Sequence, residues 1–191
     1  AFQPCADVYI KLGGVQNYSK YRRELNLSSG IAKSEFVIGD TKFCRETFAP
    51  YNNPSILVHR IAADKPGMLS GTAELATKHK IAVIKNFDNV LGLDVSVAPN
   101  AVKFAVRASV NLVGQSAKMK FVDGKMEFSG ADTIEIRITA ATNVKSWKEL
   151  SNENPAEKAL QNLSVLKNIG YDNLKKSHTE AFGKLFNRVS I

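Results

Sequence analysis

Residues 21–75 decide the fold, and they read YRRELNLSSGIAKSEFVIGDTKFCRETFAPYNNPSILVHRIAADKPGMLSGTAEL. Five short runs of strand-forming residues are separated by SSG, GD, YNNP and DKPG, each of which is a turn signal. Gly30 and Gly39 can adopt positive φ. Pro54 and Pro66 preset φ and withhold an N–H from any ladder. The stretch therefore predicts an antiparallel β-meander of five strands.

Alternation within the first two runs predicts which side chains are buried. In the first run Tyr21, Leu25 and Leu27 share one face, together with Arg23. In the second run the face that carries Phe36 opposes the one that carries Lys33 and Glu35. Because successive side chains of a strand point to opposite faces, the apolar face is expected to be buried and the other to meet water.

The fourth run, SILVHRIAA, is apolar on both faces at residues 56–58. A strand with neighbours above and below has this pattern, so we place it in the middle of a sheet. His59 lies on this strand. The position favours a hydrogen-bonded histidine in the core or at an interface over a catalytic base.

The remaining strand signals are numerous and closely spaced. Residues 76–99 predict a long excursion with one or two strands, and residues 102–112 predict a long half-buried strand. Turns then divide the following part into AKMKFV, KMEFS and TIEIRITAAT, which predict three strands in hairpin succession. About ten short strands favour an antiparallel β-sandwich over βαβ units.

After Thr142 the apolar period changes to that of a helix. Asn154 is a good N-cap, Pro155 suits the first helical position, and Glu157 completes a pattern similar to a capping box. Two amphipathic helices are predicted, over 155–169 and 173–189. The predicted fold is therefore mostly β, an antiparallel β-sandwich over 1–145 followed by two C-terminal α-helices within 146–191.

Composition indicates a globular chain of one domain, or one domain and an appendage. The chain has 191 residues, is 44% hydrophobic and carries a net charge of +8. No run of 18 apolar residues is present, so no membrane span is expected, and AFQPCADVYI lacks the features of a signal peptide. The chain does not begin with methionine, from which we expect either processing or excision from a longer protein.

The positive charge is spread along the chain. Residues 1–100 carry 12 basic and 9 acidic side chains, and residues 101–191 carry 14 and 9. Nucleic-acid binding needs clustered Lys and Arg, so no nucleic-acid partner is expected.

The cysteines and histidines do not form a metal-ligand pattern. Cys5 and Cys44 could pair in an exported protein, but two separate small core residues is the favoured interpretation. His59, His79 and His178 are far apart, without a flanking ligand. We therefore expect no metal site and no cofactor.

Several segments resemble glycoside hydrolase family 95. They include the stretch at 21–49, ILVHRIAADKPGMLSGTAEL, VKFAVRASVNL, KMEFSGADTIEIRITAATN and HTEAFGKLFNRVSI, and the Arg45-Glu46 pair after the aromatic residue at 43 is among the distinctive details. The resemblance runs from about Gln3 to Ile191. It identifies the chain as the C-terminal part of that family's N-terminal β-sandwich, incomplete at its N-terminus, followed by the helical linker.

The resemblance implies an activity that resides elsewhere in the parent protein. The family contains inverting α-L-fucosidases and related α-L-galactosidases, whose catalytic residues lie in an (α/α)6 barrel. That barrel is the expected partner of this chain, and the helix stripes are expected to contact it. No position here matches the catalytic motifs, so this chain alone is expected to be inactive. Export to a periplasm or outside the cell follows from the same resemblance.

The acidic residues themselves indicate solvation and turn chemistry. Glu24, Glu35 and Glu135 lie on polar strand faces, and Asp40, Asp64, Asp123 and Asp132 lie in turns. Glu46, beside Arg45, is expected to form a cross-strand ion pair. His178 lies between Leu174 and Phe182 on the stripe of the last helix, which predicts a packing role.

A free-standing carbohydrate-binding module is the alternative function. Trp147, with Tyr51 and Tyr171, could stack on a sugar face. Against this, Trp147 could simply anchor the connection between strands and helices, which is the favoured interpretation. A chain that lacks part of its sandwich would also leave open edges, so homo-oligomers through exposed strands or helices are a further expectation.

Overall fold

The computed structural model describes residues 4–14, 17–51 and 55–188. In chain order the elements are β1 (Asp7–Leu12), β2 (Ser19–Asn26), β3 (Ile31–Ile38), β4 (Thr41–Phe48), β5 (Ile56–Ala63), β6 (Leu69–Ala76), β7 (Ile81–Ile84), β8 (Val90–Ser96), β9 (Lys103–Val113), β10 (Lys118–Val122), β11 (Lys125–Ala131), β12 (Thr133–Thr142), β13 (Val144–Ser146), β14 (Glu149–Leu150), α1 (Pro155–Val165) and α2 (Tyr171–Phe186). The predicted turn at 52–54 and the helix end at 189 lie outside the described residues.

Two antiparallel sheets form a β-sandwich. The larger sheet has the order β2-β3-β4-β5-β12-β9-β8-β7, and the smaller has the order β1-β6-β11-β10. We call the face of the larger sheet that meets the smaller one its inner face, and the opposite face its outer face. The predicted fold, an antiparallel β-sandwich followed by two helices, is confirmed.

The central strand is placed as the sequence predicts. β5 lies between β4 and β12 in the larger sheet. Ile61 is buried in the core between the sheets, and Val58, on the other face of the strand, is also fully buried.

The predicted five-strand meander is wrong in its last strand. β2 to β5 form a meander of four, after which the chain crosses to the smaller sheet, where β6 pairs with β1 and β11. Gly71 permits this pairing, because a Cβ there would come within 2.0 Å of the carbonyl oxygen of Lys11. The predicted hairpin between β11 and β12 is wrong for the same reason, since the chain changes sheets at Asp132.

The predicted burial of the first strand is also wrong. Tyr21 is 54% exposed, and Leu25 and Leu27 are each 61% exposed. β2 is the edge strand of an eight-stranded sheet. Eight strands span about 34 Å and four span about 14 Å, so the smaller sheet is too narrow to cover the whole inner face.

The long strand β9 is buried on both faces, whereas its alternation predicted one wet face. Ala105 and Arg107 lie on the outer face and are only 1% and 3% exposed. α1 packs over β9 and β12 there. Arg107 places Nη2 2.7 Å from Oδ1 of Asp94, which compensates its charge.

α1 begins as predicted. The side chain of Asn154 accepts a hydrogen bond from the N–H of Ala156 at 3.0 Å and donates to Glu157 at 2.9 Å, and Pro155 opens the helix. These contacts satisfy one of the free N–H groups of the first turn. The helix ends at Val165, four residues before the predicted end.

The apolar stripes of both helices find partners within the chain, which corrects the expectation that their partner is absent. On α1, Ala159 and Leu163 are buried. Leu166, Tyr171 and Leu174 form a cluster with apolar side chains of the outer face, namely Ile31, Phe48, Ile56 and Val58. The end of α2 departs from this, since Leu185 and Phe186 are 40% and 43% exposed, and so does Ile169 after α1, which is 36% exposed.

A buried arginine ties the end of α1 to the sheet. Arg137, on the outer face of β12, donates from Nε to Glu135 at 2.6 Å. Its Nη1 donates to the carbonyl oxygen of Leu166, and its Nη2 donates to that of Ile169 at 2.7 Å. Leu166 is the C-cap of α1 and Ile169 lies in the segment before α2, so Arg137 holds the connection between the two helices against the sheet.

A second polar contact holds the start of α2. Glu46 on β4 accepts from the hydroxyl of Tyr171 at 2.6 Å and from Nζ of Lys175 at 2.7 Å. Burial raises the pKa of Glu46, but Lys175 and Tyr171 outweigh that effect and the net pKa is lowered. The ion pair predicted for Glu46 does not run across strands, because its partner Lys175 lies on α2, and the neighbouring Arg45 lies on the opposite face of β4.

We expect Arg137→Met to lower the free energy of unfolding by about 3 kcal/mol, since Glu135 would stay buried without its partner. Urea unfolding followed by circular dichroism measures this. The double variant Glu135→Leu/Arg137→Met should recover part of the loss because it removes both charges. Arg22→Met, in an exposed pair with Glu24, is the control and should change stability by less than about 1 kcal/mol. Unchanged stability of Arg137→Met would contradict the role of this contact.

His178 packs against the sandwich, as its place on the stripe of α2 predicted. It is 4% exposed, its ring centroid lies 5.1 Å from that of Phe48, and neither ring nitrogen has a hydrogen-bond partner. A buried polar atom without a partner costs stability.

We therefore expect His178→Phe to raise the free energy of unfolding by about 1 kcal/mol, because it keeps a stacked ring and removes both unpartnered nitrogens. Thermal and urea unfolding check this. The matched control is His79→Phe, which loses the contact of Nε2 with the carbonyl oxygen of Pro4 and should show no gain. A clear loss of stability in His178→Phe would show that the imidazole is needed.

Candidate functional sites

The acidic side chains of the strands and turns serve the structure. Glu35 accepts from Lys42 at 2.7 Å and from Lys33 at 3.2 Å, both at the sheet surface. Asp64 accepts from the backbone N–H of Lys42, and Asp132 accepts from that of Gly67. These contacts agree with the surface and turn roles predicted for Glu35, Asp64 and Asp132. The predicted solvation of Glu135 is wrong, because its side chain is only 13% exposed and is paired with Arg137.

Five clefts on the described surface each contain a single carboxylate. The five carboxylates, one for each cleft, belong to Asp94, Glu127, Asp88, Asp132 and Asp7. Inverting glycoside hydrolysis needs two carboxyl groups about 6.5 to 9.5 Å apart across one cleft. None of these five clefts provides such a pair.

One of these clefts, of about 390 Å³, lies between α1 and the outer face. Its lining includes Asn89, Asn111 and Arg137. Asn89 donates to the carbonyl oxygen of Val110 at 2.9 Å and to Asn111 at 3.1 Å, and Arg137 is engaged with Glu135 and the end of α1. Most of the polar groups that could meet a ligand are therefore committed to the fold.

A second cleft, of about 270 Å³, lies beside the start of α1 and is mainly apolar. Ile81 and Val83 of the edge strand β7 form one wall, and Pro155 and Ala156 form the other. The cleft has few polar groups that could orient a sugar.

Trp147 lies at the turn between β13 and β14 and is 88% exposed. Nζ of Lys148 lies 4.4 Å from the centre of its ring. The interpretation that Trp147 anchors the connection by packing is therefore wrong. An exposed indole offers a flat apolar face that could stack on a sugar ring.

The other two aromatic residues considered with Trp147 differ from it. Tyr171 is buried and donates its hydroxyl to Glu46, so its ring is not available to a sugar. Burial, with Glu46 adding to it, raises the pKa of Tyr171. Tyr51 is 48% exposed.

His59 is a hydrogen-bonded histidine of the central strand, as predicted. Its Nδ1 lies 2.7 Å from the hydroxyl oxygen of Thr47. Burial, and secondarily the charge of Arg45, lowers the pKa of His59 to about 4. A general base at neutral pH works best with a pKa near 7, so His59 is poorly suited to that role.

Sequence reasoning missed Arg45 as a separate feature. Its guanidinium lies 5.0 Å from the ring centre of Phe36 on the inner face. Within the described ranges, no carboxylate lies within 4 Å of it. The alternation of side chains along β4 places Arg45 and Glu46 on opposite faces, so the sequence pattern could have predicted that Arg45 lies apart from Glu46.

The metal-ligating residue types are dispersed. Among residues 4–14, 17–51 and 55–188, no group of three or more His, Cys, Asp or Glu side chains could hold a metal ion. Cys5 is free and exposed, so it is not the core residue that was predicted, and Cys44 is free and half-buried. In the same ranges no helix has the length and apolar character needed to cross a membrane.

Two curated relatives are named as fucosidases. The chain is 26% identical to Alpha-L-fucosidase 2 of Arabidopsis thaliana over 204 residues, covering 91% of this chain and 23% of the relative. It is 23% identical to Probable alpha-fucosidase A of Aspergillus niger, covering 100% of this chain and 25% of the relative. The chain thus spans about a quarter of the length of these proteins.

A solved structure shares the fold. The putative kojibiose phosphorylase from human microbiome superposes with a TM-score of 0.64 at 14% identity, over 92% of this chain and 27% of that one. A family model described as glycosyl hydrolase family 65, N-terminal domain, matches residues 1–147. The sequence resemblance pointed to family 95, whereas this match is to the N-terminal domain of family 65. Since the match covers more than half of the chain, the chain belongs to the family of glycosyl hydrolase family 65 N-terminal domains.

Proposed function

We propose that this chain is a non-catalytic N-terminal part of a glycoside hydrolase of the family 95 type, which acts on terminal α-L-fucosyl or α-L-galactosyl groups. The observation that carries the proposal is the distribution of carboxylates, with a single one in each of the five clefts. The names of the two curated relatives support the substrate class.

In this proposal the sandwich braces the catalytic barrel. The helices support such a role because they are fixed to the outer face by Arg137 and Glu46. The end of α2, with Leu185 and Phe186 exposed, provides an apolar surface for the barrel to contact. The parent enzyme acts in a periplasm or outside the cell.

We expect the chain alone to give no turnover of an aryl α-L-fucoside above buffer, because none of the five clefts supplies both an acid and a base. Release of the aryl alcohol, followed by absorbance over a range of pH values, measures this. Circular dichroism on the same sample establishes that the chain is folded.

Robust turnover would contradict the proposal, provided that this chain and not a contaminating enzyme catalyses the reaction. Asp94→Asn and Asp88→Asn each remove the carboxylate of one cleft and test for that. Activity that either substitution abolishes would locate a catalytic group here. Activity that every cleft variant retains in full would indicate a contaminating enzyme.

The alternative function is a carbohydrate-binding module, and the exposure of Trp147 favours it. The indole is 88% exposed and lies on the two-stranded β13–β14 hairpin, where Val144 and Leu150 are also exposed. Because the fold does not bury this ring, its flat apolar face is available to stack on a sugar ring.

If this alternative holds, the chain should bind immobilised fucosylated glycans, and Trp147→Ala should reduce that binding about fivefold, since stacking of a ring is worth about 1 kcal/mol. Glycan arrays and calorimetry provide the measurement. Tyr9→Ala is the matched control, because it removes an exposed aromatic ring of β1 that has no part in the proposed stacking. Equal binding by wild type and Trp147→Ala would reject the alternative.

A further inference from the structure

The cleft of about 390 Å³ between α1 and the outer face has a floor and two walls, and we call it the α1 cleft. Ser109 of β9 and Arg137 of β12, which are paired in the register of the two strands, form the floor. The turn at 87–89 forms one wall, and the end of α1 with Lys167 after it forms the other. Small-molecule sites are concave and have volumes of about 300 to 1,000 Å³, so the α1 cleft has room for one sugar ring.

The wall at 87–89 is fixed to the sheet by hydrogen bonds. The side chain of Asn89 donates to the carbonyl oxygen of Val110 at 2.9 Å, and the N–H of Val110 donates to the carbonyl oxygen of Asn89 at 2.8 Å. Across the turn, Phe87 and Val90 exchange two backbone hydrogen bonds of 3.0 and 2.7 Å. The backbone that carries Phe87 and Asp88 is therefore held in place at the rim of the α1 cleft.

The opposite wall is fixed by the buried guanidinium. Arg137 donates to the carbonyl oxygen of Leu166 and, at 2.7 Å, to that of Ile169, and these two residues flank Lys167 in the chain. Leu163, which also lines the cleft, is 8% exposed and anchors the last turn of α1. Since both walls are formed without a ligand, a ligand would not have to order them, which favours affinity.

Several lining groups remain available to a ligand, although Asn89 and Arg137 are committed to the fold. The ring of Phe87 is 40% exposed. Asp88 and Lys167 are exposed, and among the described residues no hydrogen bond or ion pair engages either side chain. The α1 cleft thus presents an aromatic ring, a carboxylate and an ammonium group around its opening.

We propose that the α1 cleft binds a neutral pyranose sugar, with the ring of Phe87 stacked on the apolar face of the sugar and Asp88 accepting hydrogen bonds from its hydroxyl groups. An aromatic ring is a flat apolar surface that suits the C–H face of a sugar. A carboxylate has two acceptor oxygens, and hydrogen bonds to a charged group are stronger than neutral ones. Lys167 and the hydroxyl of Ser109 donate to sugar oxygens.

A neutral sugar fits these groups better than an anion or an apolar molecule does. Asp88 and Lys167 carry opposite charges and Arg137 is paired with Glu135, so the α1 cleft has no excess of positive charge for a phosphate. A purely apolar ligand would remove Asp88 from water without replacing its hydrogen bonds, which is unfavourable. Sugar hydroxyls both donate and accept, so they serve Asp88 and Lys167 together.

This site goes beyond the bracing role proposed above and does not depend on it, because it needs neither a catalytic group nor the barrel. It also differs from the stacking surface of the β13–β14 hairpin, since Trp147 does not line the α1 cleft. The chain with Trp147→Ala therefore keeps the site intact and removes the exposed indole as a competing surface for sugars.

A nuclear magnetic resonance titration of the isotope-labelled 191-residue chain carrying Trp147→Ala tests the proposal. The probes are the methyl pyranosides of L-fucose, D-galactose, D-glucose and D-mannose, each added separately. We expect at least one of them to cause saturable shifts of backbone amide signals, and we expect these shifts to be confined to residues around 87–90, 109 and 164–167. The concentration dependence of the shifts gives the Kd.

Two substitutions in the same background test the named contacts. Asp88→Asn should weaken binding about tenfold, because it removes the charge of the acceptor. Its matched control is Asp123→Asn, since Asp88 and Asp123 both have φ of 48° in turns and asparagine tolerates that conformation. Phe87→Ala should weaken binding about fivefold through lost stacking, and Tyr9→Ala, which removes an exposed ring of β1, should not.

The spectra also separate a lost contact from a lost fold, because signals far from the α1 cleft should stay at their wild-type positions in each variant. The proposal is overturned if none of the four glycosides causes saturable shifts, if the shifts lie elsewhere, or if Asp88→Asn binds as tightly as its parent. Inorganic phosphate that shifts the same amides, when no glycoside does, would assign the cleft to anions and would also overturn it.

Discussion

The buried guanidinium of Arg137 is the contact on which the helical layer depends. It lies on a central strand, is only 6% exposed, and joins Glu135 to the carbonyls of Leu166 and Ile169 in the segment that follows α1. Its Nε, Nη1 and Nη2 each have an acceptor, which compensates for the burial of the charge and couples the end of α1 to the position of the guanidinium. α1 in turn covers β9 and allows Arg107 to be buried beside Asp94. The outer face thus becomes a second core that is organised by polar contacts.

The core between the two sheets depends on the difference between their widths. The smaller sheet contributes Leu69, Ala73, Met126 and Phe128 to a core that the larger sheet completes, and these side chains are almost fully buried. Four strands cannot cover eight, and the uncovered part lies toward β2. The same sequence alternation therefore gives buried side chains in β12 and exposed ones in β2. Position in the sheet, which is a property of the whole fold, decides between these outcomes.

Local patterns predicted the elements, and long-range pairing explains what they missed. The cap at Asn154, the central place of β5 and the packing role of His178 depend on nearby residues or on hydrophobicity, and each was predicted correctly. The change of sheet after β5, the exposure of Leu25 and the burial of Arg107 depend on which strands become neighbours, and no local signal encodes that. Glu46 shows the limit most clearly. Its partners Tyr171 and Lys175 are more than 120 residues away in sequence.

The division of charge between the two faces follows from the same geometry. The helices carry Lys175 and leave carbonyls that need donors, so the outer face uses Glu46 to hold α2 and Arg137 to hold α1. Acidic side chains of β2 to β5 are consequently on that face, and alternation then leaves Arg23 and Arg45 on the other. On the outer face Glu46 and Arg137 both have partners. On the inner face the half-buried guanidinium of Arg45 has no carboxylate partner, which lowers the stability of the fold.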